Sequence, residues 1–192
     1  MAIEWNSRVN RAFVLRDAVD LTGVRLAELL GWPDARRRVE AREASVARHR
    51  GGTSGPVAPS VLGQRVDPHH DRFATVDVYL EIPDWDAAAL VSVSQYEPRT
   101  EDPETGMFAW VSSARTTVSH ALAIAATVAL AECGDGEVVD EYGYLSDERL
   151  NPPAELFERL RVPAAPESLD AAVDAVLAKT RLLRRYPRVD VP

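Results

Sequence analysis

The chain has one cysteine, Cys133, and one lysine, Lys179, among its 192 residues. A lone cysteine excludes an intramolecular disulfide and cannot by itself build a thiolate zinc site, so Cys133 reads as a small buried residue at a helix end. Arginine supplies nearly all the positive charge, and that preference carries no functional reading. No apolar run reaches the roughly 18 residues that crossing a bilayer needs. The opening MAIEWNSRVNR has no apolar stretch behind its basic residues, so neither a signal peptide nor a membrane helix is expected and the expected compartment is the cytoplasm. Neither GxGxxG nor GxxxxGK[ST] occurs, which leaves nucleotide binding without a motif. There is no internal repeat.

What is present is the composition of a globular protein, 46% hydrophobic and 27% charged. A single α+β domain over 1–192 is expected, with a Gly, Ser and Pro-rich linker at 48–63 (RHRGGTSGPVAPSVLG) that leaves room for an N-terminal subdomain over 1–47. Charge is spread unevenly. Residues 73–150 carry 3 arginines against 15 acids, a balance of −12, whereas 1–72 stand at +3 and 151–192 at +1. Such a middle region repels nucleic-acid phosphates and membrane surfaces and attracts a cationic partner, although acids also serve simply to keep a protein soluble.

The pattern of side chains gives the elements. TVDVYLEI (75–82) alternates Val76, Val78, Leu80 and Ile82 against Asp77, Tyr79 and Glu81, the period of a half-buried strand. ALVSVSQYE (89–97) and GMFAWVSS (106–113) read as two further strands, completing an antiparallel meander. TTVSHALAIAATVALAECG predicts an alanine-rich helix buried on most sides, capped by Thr116 or Thr117 and stopped by Gly134, that covers the meander. EVVDEYGY then predicts a short strand, and PPAELFERL (152–160) and PESLDAAVDAVLAKTRLLRR (166–185) predict C-terminal helices. In the latter, Leu169, Ala172, Val173, Val176, Leu177 and Leu183 make one apolar stripe.

LTGVRLAELLGWPDARRRVEARE (21–43) resembles the helix-turn-helix of phage-repressor-type regulators. Arg25, Leu26, Ala27, Leu29, Leu30 and Gly31 match the first helix and turn, and the resemblance implies a DNA-binding regulator acting through residues 21–50. Arg37 falls where that family buries an aliphatic side chain. The rival reading makes FVLRDAV a strand and Leu21–Leu30 a helix capped by Thr22, continuing after Pro33 as an arginine-rich exposed helix within the same sheet protein. The rival is preferred, because helix-turn-helix modules normally need more helices than this segment offers.

Three constellations bear on chemistry. PHHDR brings His69, His70 and Asp71 together, the residue types of a small metal-dependent hydrolase, but adjacent extended side chains point opposite ways and a third ligand is missing; His120 reads as structural. Ser119 and His120 are helix neighbours that do not face each other. ECGDGEVVDEYGYLSDERL (132–150) holds seven carboxylates. Val139 and Gly143 break the spacing of a calcium loop, and on a strand Glu137 and Glu141 would stand about 13 Å apart, too far for a catalytic dyad. No catalytic residue, metal or cofactor is expected.

What remains is aromatics set among acids: Trp85 in PDWDA, Tyr96 beside Glu97, and Tyr142 and Tyr144 among Glu137, Asp140 and Glu141. These eight residues form the expected partner-binding set, the rings supplying buried area and the acids steering a basic protein. Period alone also allows Tyr142 and Tyr144 to be core. The run HALAIAATVALAECGDGEVVDEYGYL, with the order of elements over 73–150, resembles small acidic bacterial immunity proteins. That resemblance implies a non-enzymatic protein that occludes the basic surface of a partner, such as a toxin.

Overall fold

A computed structural model describes residues 4–43, 62–67, 76–96, 106–162 and 166–182. In chain order these form β1 (Glu4–Val9), β2 (Phe13–Val14), α1 (Leu15–Leu30), a 3-10 turn (Pro33–Arg37), β3 (Glu40–Glu43), β4 (Arg65–Val66), β5 (Val76–Ile82), a 3-10 turn (Pro83–Trp85), β6 (Ala87–Tyr96) and β7 (Gly106–Ser113). Then come α2 (Thr117–Cys133), β8 (Val138–Val139), β9 (Leu150–Asn151), α3 (Pro153–Leu160) and α4 (Leu169–Ala178). The fold is α+β: one seven-stranded antiparallel sheet of order β3-β5-β6-β7-β1-β8-β9, a small β2-β4 sheet, and helices.

One face of the large sheet is the core face. Its register lines up Val78, Val91, Val111 and Trp5 across four strands, and beside them Val76, Val93, Ala109 and Ser7. Small residues in the second row let α2 lie close, and the Ser7 hydroxyl donates to the Thr127 carbonyl of that helix at 2.7 Å. The alanine-rich sequence of α2 suits its position: it packs on β1, β6 and β7 of the sheet and against α1, α3 and α4. Its buried hydroxyls are satisfied, Thr127 donating to the Ala123 carbonyl within the helix and Ser119 accepting from the Ala88 N–H of β6. Thr116 is the N-cap, accepting from the Ser119 N–H, and Gly134 follows the last turn.

The N-terminal segment departs from expectation. β1 lies between β7 and β8 in the sheet, a position its mixed sequence EWNSRV does not announce. Only Phe13 and Val14 of FVLRDAV are extended; α1 begins at Leu15, where the backbone N–H is taken by the Gln64 carbonyl at 3.1 Å in place of any side-chain cap. Thr22 is therefore not a cap but an interior residue whose hydroxyl bonds the Ala18 carbonyl. Gly31, with φ 61°, ends the helix in the left-handed conformation. After Pro33 no helix continues: the chain makes a 3-10 turn and then β3, an edge strand antiparallel to β5. Arg25, matched above to a repressor helix, instead ties three helices together. It pairs with Glu28 and with Glu132 of α2, and its guanidinium lies 4.9 Å from the Phe157 ring centre of α3.

At the C-terminal end, α4 is capped by Ser168, which accepts from the Ala171 N–H, and buries Ala172, Val173, Val176 and Leu177. Leu183 and most of the 48–63 linker lie outside the described residues, as does all of PHHDR. No helix of the described residues is long and apolar enough to cross a membrane.

Candidate functional site

The acidic stretch does not form the strand expected of it. Only Val138 and Val139 are extended, paired with Ser7 and Asn6 of β1 on one side and with β9 on the other. The approach to that strand is tight. The Gly134 carbonyl accepts from the Asn10 and Arg11 N–H groups, and a Cβ on Gly136 would overlap the Arg8 carbonyl, so only glycine fits there.

Asp140 ends the strand and explains why it is so short. Its side chain is buried, at 4% exposure, and its carboxylate accepts from the backbone N–H groups of Tyr144, Leu145 and Ser146 at 2.9, 2.6 and 2.9 Å. The expectation of a surface acid is corrected here: a carboxylate answered by three amides folds the chain back on itself, and charge-assisted bonds of this kind are the strong ones. The Asp140 N–H donates to the Arg149 carbonyl, which closes the base of the loop, and Gly143 turns with φ 64°. Further ties come from outside. The Arg181 N–H donates to the Tyr144 carbonyl, Arg159 donates to the Leu145 carbonyl at 3.0 Å, and Asn151 donates to the Glu148 carbonyl.

This framework separates the two tyrosines. Tyr144 is buried, whereas Tyr142 is 55% exposed, with its ring centre 5.6 Å from that of Tyr144. Leu150 is 41% exposed, and it and Tyr142 are the exposed large hydrophobic residues among the described ones. Glu141, Asp147, Glu148 and Arg149 are exposed beside them. Residues 140–150 thus form a hydrogen-bonded loop that exposes Tyr142 and Leu150 together with Glu141, Asp147, Glu148 and Arg149.

The other expected partner residues do not converge on this loop. Glu137 is half-buried and its carbonyl accepts from the Arg8 N–H. Trp85 is half-buried in the β5–β6 turn, packs against the core, and lies under the Arg38 guanidinium, 5.4 Å from the ring centre. Tyr96 ends β6 opposite Gly106, at the far end of that strand from Trp85, about 30 Å away at strand rise. Its side chain and all of Glu97 lie outside the described residues.

His120 has a partner that sequence order hides. Its Nδ1 shares a hydrogen bond of 2.7 Å with the hydroxyl of Ser113, the last residue of β7, not with its neighbour Ser119, and its ring meets Trp5 edge-on at 6.1 Å. Burial lowers the imidazole pKa below its ordinary 6.5, favouring the neutral ring. Ser113 is buried, so the pair is a packing contact rather than an accessible nucleophile and base. Cys133 is half-buried at the end of α2, and burial, with Asp17 and Glu132 nearby, pushes its thiol pKa up to about 11. The described residues contain no group of three His, Cys, Asp or Glu side chains arranged to hold a metal.

Comparison with protein-family models, with curated proteins and with solved structures gives no match.

Proposed function

We propose that the chain is a non-enzymatic protein-binding protein of the cytoplasm, immunity-like in its mode of action, that covers a basic surface of a partner protein with the loop at 140–150. The observation that carries this reading is the coincidence of the exposed apolar residues Tyr142 and Leu150 with the exposed acids Glu141 and Glu148 on one hydrogen-bonded loop. An exposed ring that is already held in place gains contact area on binding with little ordering cost, and surrounding acids accelerate the approach of a basic partner. The acidic balance of residues 73–150 supplies the long-range part of that field. The regulator alternative has less behind it, since a 3-10 turn and an edge strand occupy the sequence where a recognition helix would be needed.

The test is affinity capture from the native cell lysate with the parent chain and with a Tyr142→Ala, Leu150→Ala variant. A basic protein held by the parent at moderate salt and lost by the variant, with melting unchanged, is the expected result. Capture of the same proteins by both would sink the reading, and a sequence-dependent gel shift with duplex DNA at about 150 mM salt would favour the regulator instead.

A further inference from the structure

Behind the acidic loop lies a cleft of the opposite sign. Its volume is about 190 Å³, and it is bounded by the loop at Leu145 and Asp147 and by the ends of two helices, with Arg159, Lys179 and Arg181 lining it. Three cations therefore converge from two segments, Arg159 from one and Lys179 with Arg181 from the other, in a protein whose net charge is −8. Two heads are held by main-chain carbonyls, Arg159 donating to Leu145 and Lys179 to Arg161, and the backbone of Arg181 is fixed by its N–H donating to the Tyr144 carbonyl.

Of the three, Arg181 has a carboxylate partner, Asp147, at the mouth of the cleft. Arg159 and Lys179 form no ion pair among the described residues, although acids are plentiful and Glu158, next to Arg159, pairs with Arg161 instead. α3 ends at Leu160 and α4 at Ala178, so the negative ends of two helix dipoles take up part of the positive charge. A dipole end carries about half a charge and answers one cation partially, which leaves the cleft positive.

We propose that this cleft is an oxyanion subsite that takes a small dianionic group, phosphoryl or dicarboxylate. The cavity is smaller than the roughly 300–1,000 Å³ of sites for drug-sized ligands, which fits a group of that size. Arg159 offers a planar fork for two oxygens, and Lys179 adds a compact charge from the other wall. Because Leu145 and Asp147 form the near wall, a bound anion also braces the back of the loop whose front carries Tyr142. The proposal does not depend on the protein-binding reading, since its test contains no partner.

The experiment is a titration of the ¹⁵N-labelled full chain with inorganic phosphate at constant ionic strength, with malonate as a second arm and chloride as the baseline. Saturable shifts confined to the amides of Leu145, Ser146, Thr180 and Arg181 are expected. In an Arg159→Gln, Lys179→Gln variant with unchanged melting, the affinity should fall by at least about tenfold, as expected when two charge-assisted contacts to a small anion are lost. Saturation by phosphate alone assigns a phosphoryl group, and saturation by malonate alone a dicarboxylate. Absence of saturation with either anion overturns the proposal whatever the variant does, and so does saturation that survives in the folded variant at the parent affinity.

Discussion

Two turns of this chain carry an aromatic ring among carboxylates, PDWDA at 83–87 and DEYGYL at 140–145, and they use the ring in opposite ways. In the first, Arg38 reaches from the 3-10 turn after α1, lies over Trp85 and pairs with Asp84, so ring and acid are both engaged by one cation of the chain. In the second, the acid nearest the ring is turned inward: Asp140 binds backbone amides, and Tyr142 is left exposed with Glu141. An aromatic–acid motif thus leaves its ring exposed only where no internal cation reaches it. What decides is the tertiary neighbour, which the motif does not spell.

The strongest way to break this comparison is Asp140→Ala. It removes the acceptor of three buried N–H groups, each costing on the order of 1–3 kcal/mol when left unanswered, so a loss of at least about 3 kcal/mol is expected. For a chain of this size that is a fall of roughly 6–12 °C in Tm by calorimetry. A change under about 0.5 kcal/mol, the range of ordinary surface substitutions, would mean that the amides are answered by water and the loop is not rigid.

Exchanging the rings sharpens the contrast. Tyr142→Ala should leave stability within about 0.5 kcal/mol and cost about 2 kcal/mol or more in partner affinity, as a central anchor does. Trp85→Ala should do the reverse, losing about 1–2 kcal/mol of stability through core packing and the arginine contact with no effect on capture. Denaturant melts and surface-plasmon kinetics on the two variants separate these outcomes.

A smaller effect comes from acid. Because burial holds the His120 pKa below 6.5 in the folded chain, the unfolded chain binds the proton more readily. The corresponding stability is present above about 6.5 and is lost as pH falls through the depressed folded value. Urea midpoints of the parent should therefore drop between pH 7 and 5 by more than those of His120→Gln. Parallel curves would show that the imidazole near Trp5 is not the group responsible. Smallest is Arg38→Gln, an exposed pair whose loss should cost about 0.2–1 kcal/mol. Its readout is Trp fluorescence: Trp85 should become more accessible to an added quencher, converting the first turn part of the way toward the second.

Much of the sheet is legible in the sequence because its central strands bury one side each. Val76, Val78, Leu80 and Ile82 alternate cleanly, and β5, β6 and β7 stand within two residues of where period puts them. α2, α3 and α4 are legible through their apolar content, Thr116 and Pro153. The rest depends on partners distant in sequence. β1 has no clean alternation, since Ser7 is buried under α2 and Asn6 is buried beside Val139. α1 starts without a cap residue because a carbonyl at position 64 takes its first N–H. Asp140 carries no local sign that it faces inward, and the cleft brings Arg159 to Lys179 and Arg181 from a separate segment.

The insertion of β1 between β7 and β8 has a consequence in time. Glu4 is matched to Ser112 and Ser7 to Val138, so β1 waits during synthesis for neighbours roughly a hundred residues behind it. At about 5–20 residues per second that is on the order of 5–20 s. Throughout that interval Trp5 and Val9, both destined for the core, have no sheet to join. The seven-stranded order is completed only when residues 150–151 arrive as β9, so from the emergence of β1 until then the growing chain carries an open sheet edge.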